Sequence, residues 1–196
     1  MPKVTEAYRE ARRDEIIGAA LRCFSTRGFQ RTSMADIIAE SGLSAGAIYG
    51  HFAGKKELFS AVATRILTAR RSELQARRRE GPPLSPGQVM ATLIDGMRRE
   101  PFSGVLIQLW AEAAIDKEMR EPVHEVLAFV RETVRAAFAE WAAAEPGRVD
   151  SDPREWAARL TPVALGLMPG FMVQRAIAAD FDEDAYLAML AEALPH

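Results

Sequence analysis

Between Arg31 and Phe59 the chain reads RTSMADIIAESGLSAGAIYGHFAGKKELF, and the glycine at 42 decides what this stretch can become. Met34, Ile37 and Ile38 fall at helical spacing with Asp36 and Glu40 on the wet side, which predicts a short amphipathic helix before the glycine. Thr32 or Ser33 can cap its start, because a hydroxyl accepts a backbone N–H that the first turn leaves unpaired. Gly42 can end it in the left-handed conformation, which costs little without a Cβ. Ser44 restarts the chain into a second helix carrying Ala45, Gly46, Ala47, Ile48, Tyr49, Gly50 and His51, anchored by Leu43 and Ile48 and slender at its exposed end. Two short helices around a tight turn have the form of a helix-turn-helix, whose second helix enters the DNA major groove with its first residues against base edges.

The flanks are consistent with that unit. A first helix over about 5–27 buries Ile16, Ile17, Ala20, Leu21 and Phe24 and stops at Gly28, while Arg9, Arg12 and Arg13 near its start can reach an adjacent phosphate or stay solvated. After Phe52 a short turn leads into a long helix from Lys55 to Arg79, whose N-terminus and Lys55 favour an anion. Gly81-Pro82-Pro83 stops it. Further helices follow: one capped by Ser85 and opened by Pro86, one from about Phe102 to Ile115, and one over 117–144 with a stripe of Val123, Leu127, Val130, Val134, Phe138 and Trp141. Beyond a loop at 145–151, a helix runs from Pro153 to about Ala178, and Pro162 and Pro169 should kink it or split it near Leu167. Asp182 caps the last helix. The fold class is all-α.

Net charge is only −2 over 196 residues, yet it is unevenly spread. Residues 1–80 hold 15 Lys/Arg against 9 Asp/Glu, whereas 81–196 hold 10 against 18. A positive N-terminal part is drawn to phosphate and an acidic remainder is pushed from it. Cys23 is the single cysteine, so no intrachain disulfide can form, and it reads as packing in the first helix. No run of about 20 consecutive apolar residues occurs and the N-terminus lacks a signal-peptide core, which places the expected protein in the cytoplasm with no membrane partner.

Catalytic readings fail on spacing. His51, His124 and His196 are scattered, without a pair on one helical face to hold a metal. Gly54-Lys55-Lys56 is no phosphate loop, since Tyr49 stands where glycine is required and Lys56 replaces the hydroxyl residue. Asp180, Asp182 and Asp184 open like a calcium loop, but Ala185 and Ala191 stand where glycine and glutamate are needed. No enzyme, cofactor or metal site is expected.

The string Ser44, Gly46, Ile48, Tyr49, His51, Phe52, Lys55, Glu57, Leu58 resembles the DNA-binding domain of the tetracycline-repressor (TetR) family of bacterial transcriptional regulators. Arg13, Ile16, Ala19, Ala20, Phe24, Gly28, Thr32, Ile37, Ala39, Gly42 and Leu43 extend the likeness backwards. The resemblance implies three parts: a DNA-binding domain over 1–54, a connecting helix over 55–80, and a helical ligand-binding and dimerisation domain over 81–196. Ser44, Ala45 and Gly46 then face bases, and Thr32, Ser33, Tyr49, His51 and Lys55 face phosphates; His51 can equally be structural beside Phe52. Its expected partners are a palindromic double-stranded operator, a second copy of the chain paired through 153–178 and 182–194, and a small effector that releases DNA. Met90, Met97, Phe102, Trp110, Met119, Phe129, Met168 and Phe171 are candidates for an apolar cavity, with Glu112 and His124 as its polar members. The competing readings are a helical protein-binding adaptor and a regulator answering to a partner protein.

Overall fold

The computed structural model describes residues 6–79, 81–99 and 103–196, and among them every regular element is a helix. They are α1 (Glu6–Arg27), α2 (Met34–Ser41), α3 (Ala45–Tyr49), α4 (Lys55–Arg79), α5 (Pro86–Arg99), α6 (Ser103–Ile115), α7 (Lys117–Ala143), α8 (Pro153–Leu165), α9 (Leu167–Ile177) and α10 (Glu183–Ala193). The boundaries sit on residues whose chemistry sets them. The Ser85 hydroxyl accepts from the N–H of Gln88 while Gln88 accepts from the N–H of Ser85, closing the start of α5. Asp152 and Asp182 cap α8 and α10. The expected split falls at Gly166, between the two prolines that withhold backbone donors, and α9 follows it without a side-chain cap.

Packing divides the chain into two compact units that do not follow chain order. The first joins Met1–Ile66 with Gly104–His124; the second joins Leu67–Ser103 with Glu125–His196. In the first, Ile16, Ala20, Ile37, Ile48, Phe52, Leu58 and Val62 are buried, and Phe24, Phe29 and Phe59 meet with ring centroids 5.6–6.4 Å apart. Aromatic rings at tilted and edge-on angles bury much area from few residues, which suits a small unit.

In the second unit α5 lies along α10, and it also touches α8 and α9. Gly87 makes the closest approach: a Cβ there would stand 2.5 Å from the Leu190 carbonyl oxygen and 2.7 Å from the Cα of Ala191. Arg98 on α5 is paired with Asp95, Glu183 and Asp184, tying the same two helices at their far ends. Phe171, Phe181 and Tyr186 form a second ring cluster, and the Tyr186 hydroxyl donates to the Leu167 carbonyl at 2.9 Å. Burial raises the Tyr186 pKa. The segment Pro153–Ile177 is long and apolar enough by length and composition to cross a membrane; folded, it is two helices burying Ala157, Thr161, Ala164, Met168, Phe171 and Met172.

Candidate nucleic-acid interface

Of the two hydroxyls that could cap α2, Ser33 does so. Its oxygen accepts from the N–H of Asp36 at 3.1 Å, while the Asp36 carboxylate accepts from the Ser33 N–H at 2.8 Å and from the Ser33 hydroxyl at 2.6 Å. These Ser33 bonds, with Arg27 adding its charge, hold the Asp36 carboxyl below the usual carboxylate range. The spacing Ser33-x-x-Asp36 carried this signal in the sequence. Arg27–Asp36 and Arg22–Glu40 then join α1 to α2. Cys23 is buried beneath them, and that burial pushes its thiol pKa up.

Thr32 takes a different part from the one expected. It is 1% exposed, and its hydroxyl lies 2.8 Å from the Gly28 carbonyl and 3.2 Å from that of Cys23. A side chain buried against two acceptors is withdrawn from phosphate and instead ties the end of α1 to the approach to α2.

Gly42 ends α2 with φ +67°, its N–H returning to the Ala39 carbonyl. Ser44 caps the five-residue α3 by accepting from the N–H of Ala47 at 3.2 Å. Accepting leaves the hydroxyl's own proton for another acceptor. Ile48 is fully buried and fixes the helix to its unit, while Ser44, Ala45, Gly46 and Tyr49 lie exposed in one short run. Among the described residues, no atom outside its own turn lies within 4 Å of a Cβ built on Gly46, so this end of α3 is open to approach. His51 is half-exposed, its N–H bonded to the Ile48 carbonyl.

Lys55 begins α4 and reaches back to the turn before α2. Its ammonium donates to the Phe29 carbonyl at 3.0 Å and lies 4.5 Å from the centre of the Phe29 ring, with the Gln30 carbonyl at 3.4 Å. Partial burial lowers its pKa. The lysine thus braces the reading unit, and a third N–H remains for an anion. Glu57 completes the corner by accepting from the N–H of Ala53 at 2.6 Å. Arg13, expected either to reach a phosphate or to stay solvated, is stacked 5.1 Å from the Phe52 ring centre, and α6 meets the end of α1 in a contact that the sequence does not mark: a Cβ on Gly28 would stand 2.9 Å from Gln108 Oε1.

The second unit holds a cavity of about 390 Å³ lined by Leu74, Pro83, Leu84, Val89, Phe129, Glu132, Thr133, Ala136, Ala137 and Glu140. Of the described residues expected to line a ligand site, Phe129 alone is on this lining. Met90, Met97, Met168 and Phe171 are buried and fill core space instead. Trp110 and Glu112 are half-buried and His124 is exposed, all three in the first unit; Phe102 lies outside the described residues.

A capped two-helix unit at the front of an all-helical chain is the architecture of helix-turn-helix regulators. The model of bacterial regulatory proteins of the tetR family matches residues 16–62, and that of the BetI-type transcriptional repressor C-terminal domain matches 88–196. The chain belongs to the TetR family of bacterial transcriptional regulators. It is 41% identical over 58 residues to the HTH-type transcriptional regulator YfiR of Bacillus subtilis, a match covering 30% of this chain and 28% of that protein. The match therefore spans less than a third of that relative's length. The fold is similar to a transcriptional regulator from Saccharomonospora viridis in complex with choline (TM-score 0.67, 20% identity, 93% of this chain and 95% of that one). It is also similar to FadR from Bacillus subtilis in complex with stearoyl-CoA (TM-score 0.70, 14% identity, 92% and 98%).

Proposed function

We propose that this chain is a cytoplasmic, homodimeric repressor that binds a palindromic operator and is released from it by a small apolar or amphipathic molecule. The observation that carries the reading is α3: a helix whose capped start is open and built of Ser44, Ala45 and Gly46, held by a buried Ile48. Small residues let the backbone approach base edges, and Ala45 can meet a thymine methyl. With so few side chains able to read bases directly, DNA shape contributes to the choice of site. Tyr49, Ser33, His51 and the remaining donor of Lys55 serve the phosphates, while the Thr32 side chain is left out of this set.

A five-residue helix touches few bases, so a two-fold pair is needed for strong selection. Val163 on α8, Val173 and Ile177 on α9 and Met189 on α10 are exposed and apolar, which supports pairing through these helices. The cavity is within the roughly 300–1,000 Å³ typical of small-molecule sites. Choline and stearoyl-CoA, held by the two similar folds, support a small effector, although the two differ in charge and size.

The test is fluorescence anisotropy with DNA from the protein's own promoter region against unrelated DNA, over a salt series. A regulator selects one fragment and loses affinity steeply with salt; equal binding to both fragments, or none, overturns the reading. Lys55→Ala should weaken all sequences alike, and Ala45→Arg should change which is preferred. Sedimentation at micromolar concentration should show a dimer; a monomer with undiminished operator binding rules the pairing out.

A further inference from the structure

We infer that Arg13 is a further contact to the DNA backbone, a guanidinium held at the end of the reading helix with its charge left for a phosphate oxygen. This inference rests on the proposed DNA-binding function and adds a residue to it. Arg13 lies three and four residues before the buried Ile16 and Ile17, so it continues the inner face of α1 out to the surface. There it is exposed, and its guanidinium carbon stands 5.1 Å from the centre of the Phe52 ring. Phe52 is buried and its N–H returns to the Ile48 carbonyl, so the ring packs at the end of α3, next in sequence to His51.

Arg13 differs from its neighbours in the kind of group that holds it. Arg12 is paired with Glu15, Arg22 with Glu40 and Arg27 with Asp36, so a phosphate approaching any of these meets a carboxylate as well. An aromatic face carries no net charge, and among the described residues no carboxylate pairs with Arg13. Glu57, beyond Phe52 in the chain, is taken up by the N–H of Ala53. The ring contact also leaves the five N–H donors of Arg13 without an acceptor among the described residues, and phosphate oxygens suit them. Arg9, one turn earlier on the same face, is exposed too, but nothing among the described residues fixes it, so binding would cost it more rotamer freedom.

The experiment separates a phosphate contact from a mere cover over Phe52. Arg13→Met keeps an apolar cover and removes the charge; Arg13→Lys keeps the charge. Fluorescence anisotropy of the full chain, with labelled promoter DNA and with an unrelated fragment, is followed from about 50 to about 200 mM KCl. Each lost contact should flatten the fall of log affinity with log salt by about 0.9, hence about 2 for the proposed dimer, so wild type should lose about tenfold more affinity than Arg13→Met over this range. The preference between the two fragments should not change, because phosphates carry no sequence. Arg13→Lys should keep the wild-type slope. Arg12→Met, which removes a charge already paired, should change it by less than half as much. Thermal unfolding checks that each variant is folded, and Arg13→Gln gives the same reading if the methionine variant does not fold.

An unchanged slope for the neutral variant, an equal change for Arg12→Met, or a lysine variant that behaves like methionine overturns the inference. Selective binding by wild type with any of these outcomes leaves the regulatory reading standing. Wild-type binding without preference between the fragments overturns the regulatory reading alone, since the slope difference is still read on either DNA. No DNA binding by wild type overturns both.

Discussion

The reading unit and the body of this protein are held together over very different distances along the chain. Around α2 and α3 the defining bonds are local: Ser33 with Asp36, Gly42 with Ala39, Ser44 with Ala47, Ala53 with Glu57. In the second unit they join residues far apart in sequence: Gly87 against Leu190, Arg98 with Asp184, Tyr186 with Leu167. Local bonds fix helix ends and turn angles, so a small interface keeps its geometry almost regardless of the body attached to it. Distant contacts fix only how finished helices lie on one another, and such a body can change its cavity while keeping its helices.

The sharpest test of that contrast is at glycine. Gly87→Ala drives a Cβ into the backbone of α10 and should cost about 2–3 kcal/mol, as overpacking in a rigid interior does. Gly46→Ala places the same carbon in open space and should stay within about 1 kcal/mol, with helix propensity favouring alanine. Urea midpoints of the two variants read the difference; equal losses would remove the contrast.

Thr32→Val comes next. It leaves the Gly28 carbonyl without its 2.8 Å donor inside the first unit and should cost about 1–2 kcal/mol. The affinity of the remaining folded protein for DNA should be unchanged; a tenfold loss would return Thr32 to the phosphate contacts. Ser33→Ala removes a cap and should cost about 1 kcal/mol, measured in the same way.

Asp36 gives the local bonds a pH signature. Its folded pKa lies below the unfolded value, so its contribution is present above the unfolded pKa, about 4, and is lost as pH falls through the folded one. Stability measured from pH 7 downward should therefore differ between wild type and Asp36→Asn near neutrality and converge in acid. The smallest effect is expected at Arg98→Met, between about 0 and 1 kcal/mol, because Asp184 is exposed and water screens the pair. A larger loss would show that the network, rather than Gly87, holds α5 to α10.

These distances also explain what could be read in advance. Every cap and break in the reading unit depends on residues three or four apart, and Pro162 and Pro169 marked the α8–α9 break by the donors they lack. Thr32 and Ser33 could not be separated until burial withdrew one of them. Met90, Met97, Met168 and Phe171 lie in the core and not on the cavity lining for a physical reason: they are large, and large side chains fill space. Ala136 and Ala137 leave it, and an alanine at one helical position carries no sign in sequence of whether a neighbour will fill the gap. Nor does periodicity say which partner an apolar stripe finds, so the grouping of 104–124 with the N-terminal residues was not legible.

That grouping bears on how the protein is made and recombined. Each unit is assembled from two separated stretches of chain, so on the ribosome the first cannot be completed until residue 124 has emerged, by which time part of the second is already outside. A hybrid that joins residues 1–66 to a foreign body keeps the local bonds of the reading unit but parts them from 104–124, with which they pack into one compact unit in this protein.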